Sequence, residues 1–139
     1  MEFETLFSIA NTLALVGWVI LLVFARRRWA HWHVAGIGIP AALAVAYLVL
    51  LAWQAPGAGG GFSTLAGVRA LFAQDGVLLA GWLHYLAFDL FLGAWMCRRA
   101  TAEGLAWWRL YPALPFTFLA GPAGLLVFLG LRALPAGRR

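Results

Sequence analysis

The 139-residue chain is 64% hydrophobic and 11% charged, with a mean hydropathy of +0.87. This excludes a water-soluble globule, whose surface alone would need roughly 25% charged residues. Ten Arg and five acids give a net charge of +5, but the apolar content leaves no polar face for a duplex, so nucleic acid is excluded as a partner and the Arg residues read as membrane-edge anchors. The expected class is all-α: a polytopic membrane protein, one domain over residues 1–139, packed as a compact four-helix transmembrane bundle.

A helix needs about 20 apolar residues to cross the hydrocarbon core, because every backbone N–H and C=O must be paired internally there. The first such stretch, about 5–25, ends at Arg26, Arg27 and Arg28, with Trp29 and Trp32 beyond it at interface positions. A cleaved signal peptide would begin with positive charge, whereas this segment begins with Glu2 and Glu4, so the first span is expected to stay. His31 and His33 flank Trp32 in what reads as a short basic loop, and with no third ligand nearby no metal is assigned.

The second span covers about 34–53. A Gly-rich turn, Pro56 to Gly61, follows it, and about 62–74 has the spacing of a short interfacial helix. The third span, about 76–97, carries His84 and Asp89 in an otherwise apolar run and stops at Arg98 and Arg99. The fourth, about 112–131, contains Gly121 and Pro122, where a kink is expected that frees the Phe118 carbonyl.

Four crossings put Arg26, Arg27, Arg28, Arg98, Arg99 and Arg109 on one side and Arg69, Arg132, Arg138 and Arg139 on the other. That split favours both termini outside the cytoplasm of a multi-pass protein; a bacterial inner membrane is the expected location, with a photosynthetic membrane left open. Small residues four apart, Ala10 with Ala14, Ala42 with Ala46 and Ala120 with Gly124, would allow close helix approach. Cys97 has no disulfide partner and reads as a small packing residue, although its place at a membrane edge leaves acylation open.

An ionised carboxylate at the bilayer centre costs at least ~2.5 kcal/mol, so Asp89 faces the bundle interior, is protonated, or both. Its two readings are an acid in a reaction and a packing hydrogen bond to a neighbouring span. His84 lies five positions earlier, about 140° around the helix and roughly 7.5 Å along its axis, so the two cannot bond directly but could border one cavity from different angles. Asn11, Thr12, Tyr47, Tyr85 and Thr117 are the main polar partners within the spans. The Asn11 amide has up to four hydrogen-bonding positions to fill, by a ligand or by a neighbouring helix.

The segment Gly81-Trp-Leu-His84-Tyr-Leu-Ala-Phe-Asp89-Leu-Phe-Leu-Gly93 resembles the first signature of the abscisic-acid-deficient-4-like membrane protein family: His, four residues, then Asp-Leu-Phe. The stretch Gly121-Pro122-Ala-Gly124-Leu is similar to its second, Gly-Pro-x-Gly-Leu in the last helix. Family members often carry an Arg soon after Asp-Leu-Phe, where this chain has Gly93 and Ala94, with Arg98 and Arg99 a turn later.

Plant members of that family are required to form neoxanthin from violaxanthin, so the resemblance implies carotenoid chemistry: isomerisation of an epoxy-carotenoid without a cofactor. It carries over His84, Asp89, Gly121, Pro122 and Gly124. On this reading Asp89 is the acid and His84 the base, and Asn11, Trp18, Tyr85, Phe88, Thr117, Phe118, Gly121 and Pro122 surround a carotenoid or other long apolar ligand, with Phe91 among the apolar neighbours. A homo-oligomer or pigment–protein complex stays open as assembly. The alternative is a non-catalytic subunit that binds pigment or stabilises a complex, His84 ligating a chlorophyll magnesium or a haem iron. A proton-coupled carrier using Asp89 suits four short spans less well.

Overall fold

The computed structural model describes residues 2–135, and among these every regular element is helical. α1 (Phe3–Val23) comes first and ends in the turn carrying Arg26 to Arg28. α2 (Ile39–Gln54) is preceded without a break by a π-helical stretch, Ala30–Gly38, and followed by a 3₁₀ turn, Ala55–Gly57, making one apolar helix of 28 residues.

Where a basic loop was expected, His31 and His33 are therefore helical. Pro40 at the start of α2 has no N–H to donate, and the turn before it widens so that the Ile39 N–H reaches back to Val34. α3 (Leu65–Phe72) is the short amphipathic helix, shorter than its expected range and capped by Thr64, whose hydroxyl accepts from the Gly67 N–H at 3.0 Å.

α4 (Asp75–Ala102) is the centre of the molecule. Nothing interrupts its 28 residues, an acid sits in its first turn and Arg99 in its last, and both charges oppose the helix dipole. α1 lays Ala10, Ala14, Trp18 and Leu21 on one side of it, while Ile39, Leu43 and Leu50 of α2 join the same core. Leu83, Leu90, Ala94 and Met96 of α4 are wholly enclosed between them. Of the small-residue pairs, Ala10 with Ala14 forms a buried seam, whereas Ala42 points outward. Cys97 is enclosed in the same core as a packing residue.

The expected fourth crossing is replaced by a hairpin. α5 (Ala113–Leu119) and α6 (Gly121–Ala133) are separated by Ala120 in extended backbone, φ −161° and ψ 93°, and the chain reverses there instead of kinking. Both feet of the hairpin stand at one end of the molecule. Arg109, just before α5, donates to the carbonyls of Leu134 and Pro135 just after α6, each at 2.7 Å, and Arg132 clasps Glu103 at the end of α4. Gly124 presses its bare backbone on Thr117, which lets α5 and α6 pack with no gap.

Six helices thus replace the four-helix bundle, and three are long and apolar enough to cross a membrane. The expected topology changes with them. Arg132 joins Arg26, Arg27, Arg28, Arg98, Arg99 and Arg109 at a basic end, where Arg26 lies over the Trp107 ring. Glu4 and Asp75 share a hollow at the opposite end. Arg138 and Arg139 lie outside the described residues.

Candidate functional site

The tip of the hairpin meets α4 at Asp89. Because Ala120 leaves the helix and Pro122 opens the next one, where its missing N–H costs nothing, α6 begins in the middle of the protein with its N-terminus turned toward α4. The Asp89 carboxyl lies against the Gly121 backbone N–H, and a Cβ at Gly121 would run into Oδ1. Asp89 is 7% exposed, and its Oδ2 is buried with no partner. An anionic group at a helix N-terminus gains up to ~2 kcal/mol in a buried geometry, which offsets much of the ~2.5 kcal/mol or more that a carboxylate costs at the bilayer centre.

Tyr85 stands one turn before Asp89. Its hydroxyl is within reach of the Asp89 carboxyl and donates to the Leu119 carbonyl at 2.9 Å. That carbonyl is free because the Ala123 N–H, its usual helical partner, goes to Ala120. Beside the Phe118 carbonyl, which Pro122 cannot serve, a second carbonyl is thus freed at Leu119 and taken up by a side chain of α4.

Tyr85 also forms the wall of an apolar groove of about 370 Å³ between α1, α4 and the hairpin, which Asn11, Leu15, Trp82, Phe118 and Leu119 complete. Asn11 holds the groove's rim: its amide donates to the Phe7 carbonyl at 2.7 Å, and its oxygen accepts from Trp82 Nε1 at 3.1 Å. Trp18 does not line the groove but is buried on Gly93 and edge-on to Phe118, with ring centroids 5.6 Å apart.

Asn11, Trp18, Tyr85, Asp89, Phe118 and Gly121 are therefore gathered around the hairpin tip. Thr117 is close by but turned away, donating to the Ala113 carbonyl and Met96 sulfur at 2.8 and 3.5 Å. Pro122 is exposed at the start of α6, where it sets the break without entering the groove.

The structure does not bring His84 to Asp89. The imidazole faces the other side of α4, its ring 5.6 Å from Tyr47 and 4.7 Å from Phe88, and lines a separate hollow of about 280 Å³ with Phe62 and Phe72. The single cavity expected to lie between them is thus divided by α4 itself. Phe88 and Phe91 line a third, almost wholly apolar groove against Ile37 and Pro40. Arg98, a turn beyond the first signature, gives its Nη1 to the His31 carbonyl at 2.6 Å.

The Leu119 carbonyl and the Leu119–Gly121 backbone were missed as functional groups by reasoning on side chains. The signal present in the sequence was the density of prolines, Pro112, Pro115 and Pro122, which is high for a helix that has to cross unbroken. Among the described residues no cluster of three or more His, Cys, Asp or Glu is placed to hold a metal.

Compared with known proteins, the chain matches the model of a family described as ABA DEFICIENT 4-like over residues 5–128. No curated protein and no solved structure matched it.

Proposed function

Because the chain belongs to the ABA DEFICIENT 4-like family, we propose that it is a membrane protein of carotenoid metabolism that isomerises an epoxy-carotenoid at the hairpin tip. The observation that carries this reading is the Asp89 carboxyl, buried with one oxygen unpartnered among the described residues and in reach of the hydroxyl of Tyr85, which lines an apolar groove that Asp89 itself does not line. A polyene lies along such a groove without desolvation cost, and its oxygenated end ring comes to rest at the one polar spot, where Asn11 and Tyr85 stand.

Opening an epoxide to an allenic alcohol delivers a proton to the oxygen as the C–O bond breaks and removes one from the adjacent polyene carbon as the new double bond forms. The two protons cancel, so the product is an isomer. Asp89, carrying its proton, passes it through the Tyr85 hydroxyl, which turns from the Leu119 carbonyl toward the groove, and the proton lost from carbon returns through the same hydroxyl to the carboxylate left behind. The Gly121 N–H and the start of α6 stabilise that carboxylate at the moment it forms. His84, on the far side of α4, takes no part in this step.

Expression in a carotenoid-producing bacterium with pigment profiling tests the proposal. The wild type yields an isomerised xanthophyll. Asp89→Asn abolishes it, and Tyr85→Phe lowers it by about 10²–10⁴, the usual worth of a positioned acid–base group. His84→Ala leaves it in place. Full product formation by Asp89→Asn would end the assignment.

One observation favours a second reading, a non-catalytic pigment-binding subunit: His84 faces a hollow open to lipid and makes no hydrogen bond among the described residues. A chlorin or Soret band in the purified protein that His84→Ala removes would establish it.

A further inference from the structure

At the basic end, the turn after α1, the π-helical stretch and the last turns of α4 enclose a hollow of about 390 Å³, within the ~300–1,000 Å³ usual for ligand sites. Arg26, Arg28, Arg98 and Arg99 line it with His31 and Trp32, and no carboxylate does. The acid of this end, Glu103, is held by Arg99 and Arg132 at 2.6 Å each.

The other three guanidiniums lie on aromatic faces. Arg26 is 4.5 Å from the Trp107 ring centroid, Arg28 is 5.9 Å from Trp32, and Arg98 is 5.0 Å from Trp32. Lying over a ring leaves the N–H edges of Arg26 and Arg28 free among the described residues to bind an oxyanion in two-pronged fashion, while Arg98, whose Nη1 is held by the His31 carbonyl, offers its remaining N–H groups. Below them is His31, 2% exposed, with both ring nitrogens buried and without a partner.

Gly36 lets the site form. A Cβ there would collide with Arg98 Nη1 and the His31 carbonyl, so only glycine allows Arg98 to reach over the π-helical turn to its 2.6 Å bond.

We propose that this hollow is a binding site for a phosphate group presented at the membrane surface, with the Arg26, Arg28 and Arg98 guanidiniums around the phosphate oxygens. It lies at the opposite end of α4's last three turns from the Asp89 groove and does not depend on the reaction proposed there. The phosphate can come from an anionic phospholipid or from inorganic phosphate, and the two sources are separable.

The full chain, purified in detergent and stripped of lipid, is titrated calorimetrically with short-chain phosphatidylglycerol, with phosphatidylcholine and with inorganic phosphate. Saturable phosphatidylglycerol binding, blocked by neither of the other two, assigns the site to an anionic lipid. Saturable binding of inorganic phosphate that competes with the lipid assigns it to the phosphate group itself. In either case the double variant Arg26→Gln with Arg28→Gln weakens binding about tenfold or more, as loss of two charge-assisted contacts should. The double variant Arg27→Gln with Arg69→Gln, equal in charge but outside the hollow, leaves it unchanged. Equal loss in the two double variants, or no saturable binding of any ligand, would overturn the proposal.

Discussion

Asp89 and Gly121 define each other. The carboxyl needs a hydrogen-bond donor at a depth where water is scarce, and the end of a helix provides N–H groups with no partner inside their own helix. Only a residue without a side chain lets that helix end come close enough, because a Cβ on Gly121 would occupy the space of Oδ1. The same reasoning applies three residues on. A Cβ on Gly124 would meet the Thr117 hydroxyl and backbone, so Gly124→Val should force α5 from α6 and cost about 1–3 kcal/mol, the usual range for overpacking. Thr117→Ala in the same chain removes the nearest obstructing atom and should return part of that loss. Unfolding of the two single variants and the double in mixed micelles measures the coupling; additive costs would mean that the two residues do not share a contact.

At the scale of elements, the α5–α6 hairpin is held by its tip and by its feet. Its feet depend on Glu103, which closes α4 by accepting from Arg132 at 2.6 and 2.7 Å while pairing with Arg99 one helical turn away. The Arg132 hydrogen bond, with Arg99 adding to it, holds the Glu103 carboxyl below the ordinary glutamate range. A carboxyl whose pKa is lower folded than unfolded contributes its full stabilisation above the unfolded value and loses it as pH falls through the folded one. The thermal midpoint of the wild type should therefore fall relative to Glu103→Gln as the pH drops below roughly 4, with the wild type ahead at neutral pH. Parallel curves for the two proteins would show that the clasp does not fix the hairpin.

Much of this element was legible beforehand. The Gly121-Pro122 break, the buried carboxyl and the opposed directions of His84 and Asp89 follow from residue type and the 100° step of a helix. The reversal at Ala120 was not legible, because an apolar run of crossing length reads the same whether it continues or doubles back. The buried His31 was missed for a related reason. A π-helical turn has no composition of its own, so Trp32 between two histidines beside three arginines reads as a surface loop until Pro40 is seen to widen the helix before it.

For the molecule as a whole, the hairpin decides which way the chain faces. A fourth crossing would divide the arginines nearly evenly, whereas three crossings and a returning hairpin leave Arg69 alone at the end that holds Glu4 and Asp75 and gather the remaining described arginines at the other. So strong an imbalance in short connections predicts a cytoplasmic basic end, which would also place the proposed phosphate-binding hollow against the leaflet face rich in anionic lipid. Single cysteines in a Cys97→Ser background, probed with a membrane-impermeant thiol reagent on sealed cells, read this directly. Glu4→Cys and Ser63→Cys should react from outside, while Ala106→Cys and Ala133→Cys should react only after the membrane is opened. The last site carries the argument, since Ala106 is on the inner side in either topology, whereas Ala133 moves across the membrane if α5 and α6 form one continuous span. Reaction of Ala133→Cys together with Glu4→Cys on sealed cells would restore the fourth crossing, separate Arg132 from Glu103, and remove the helix end that meets Asp89.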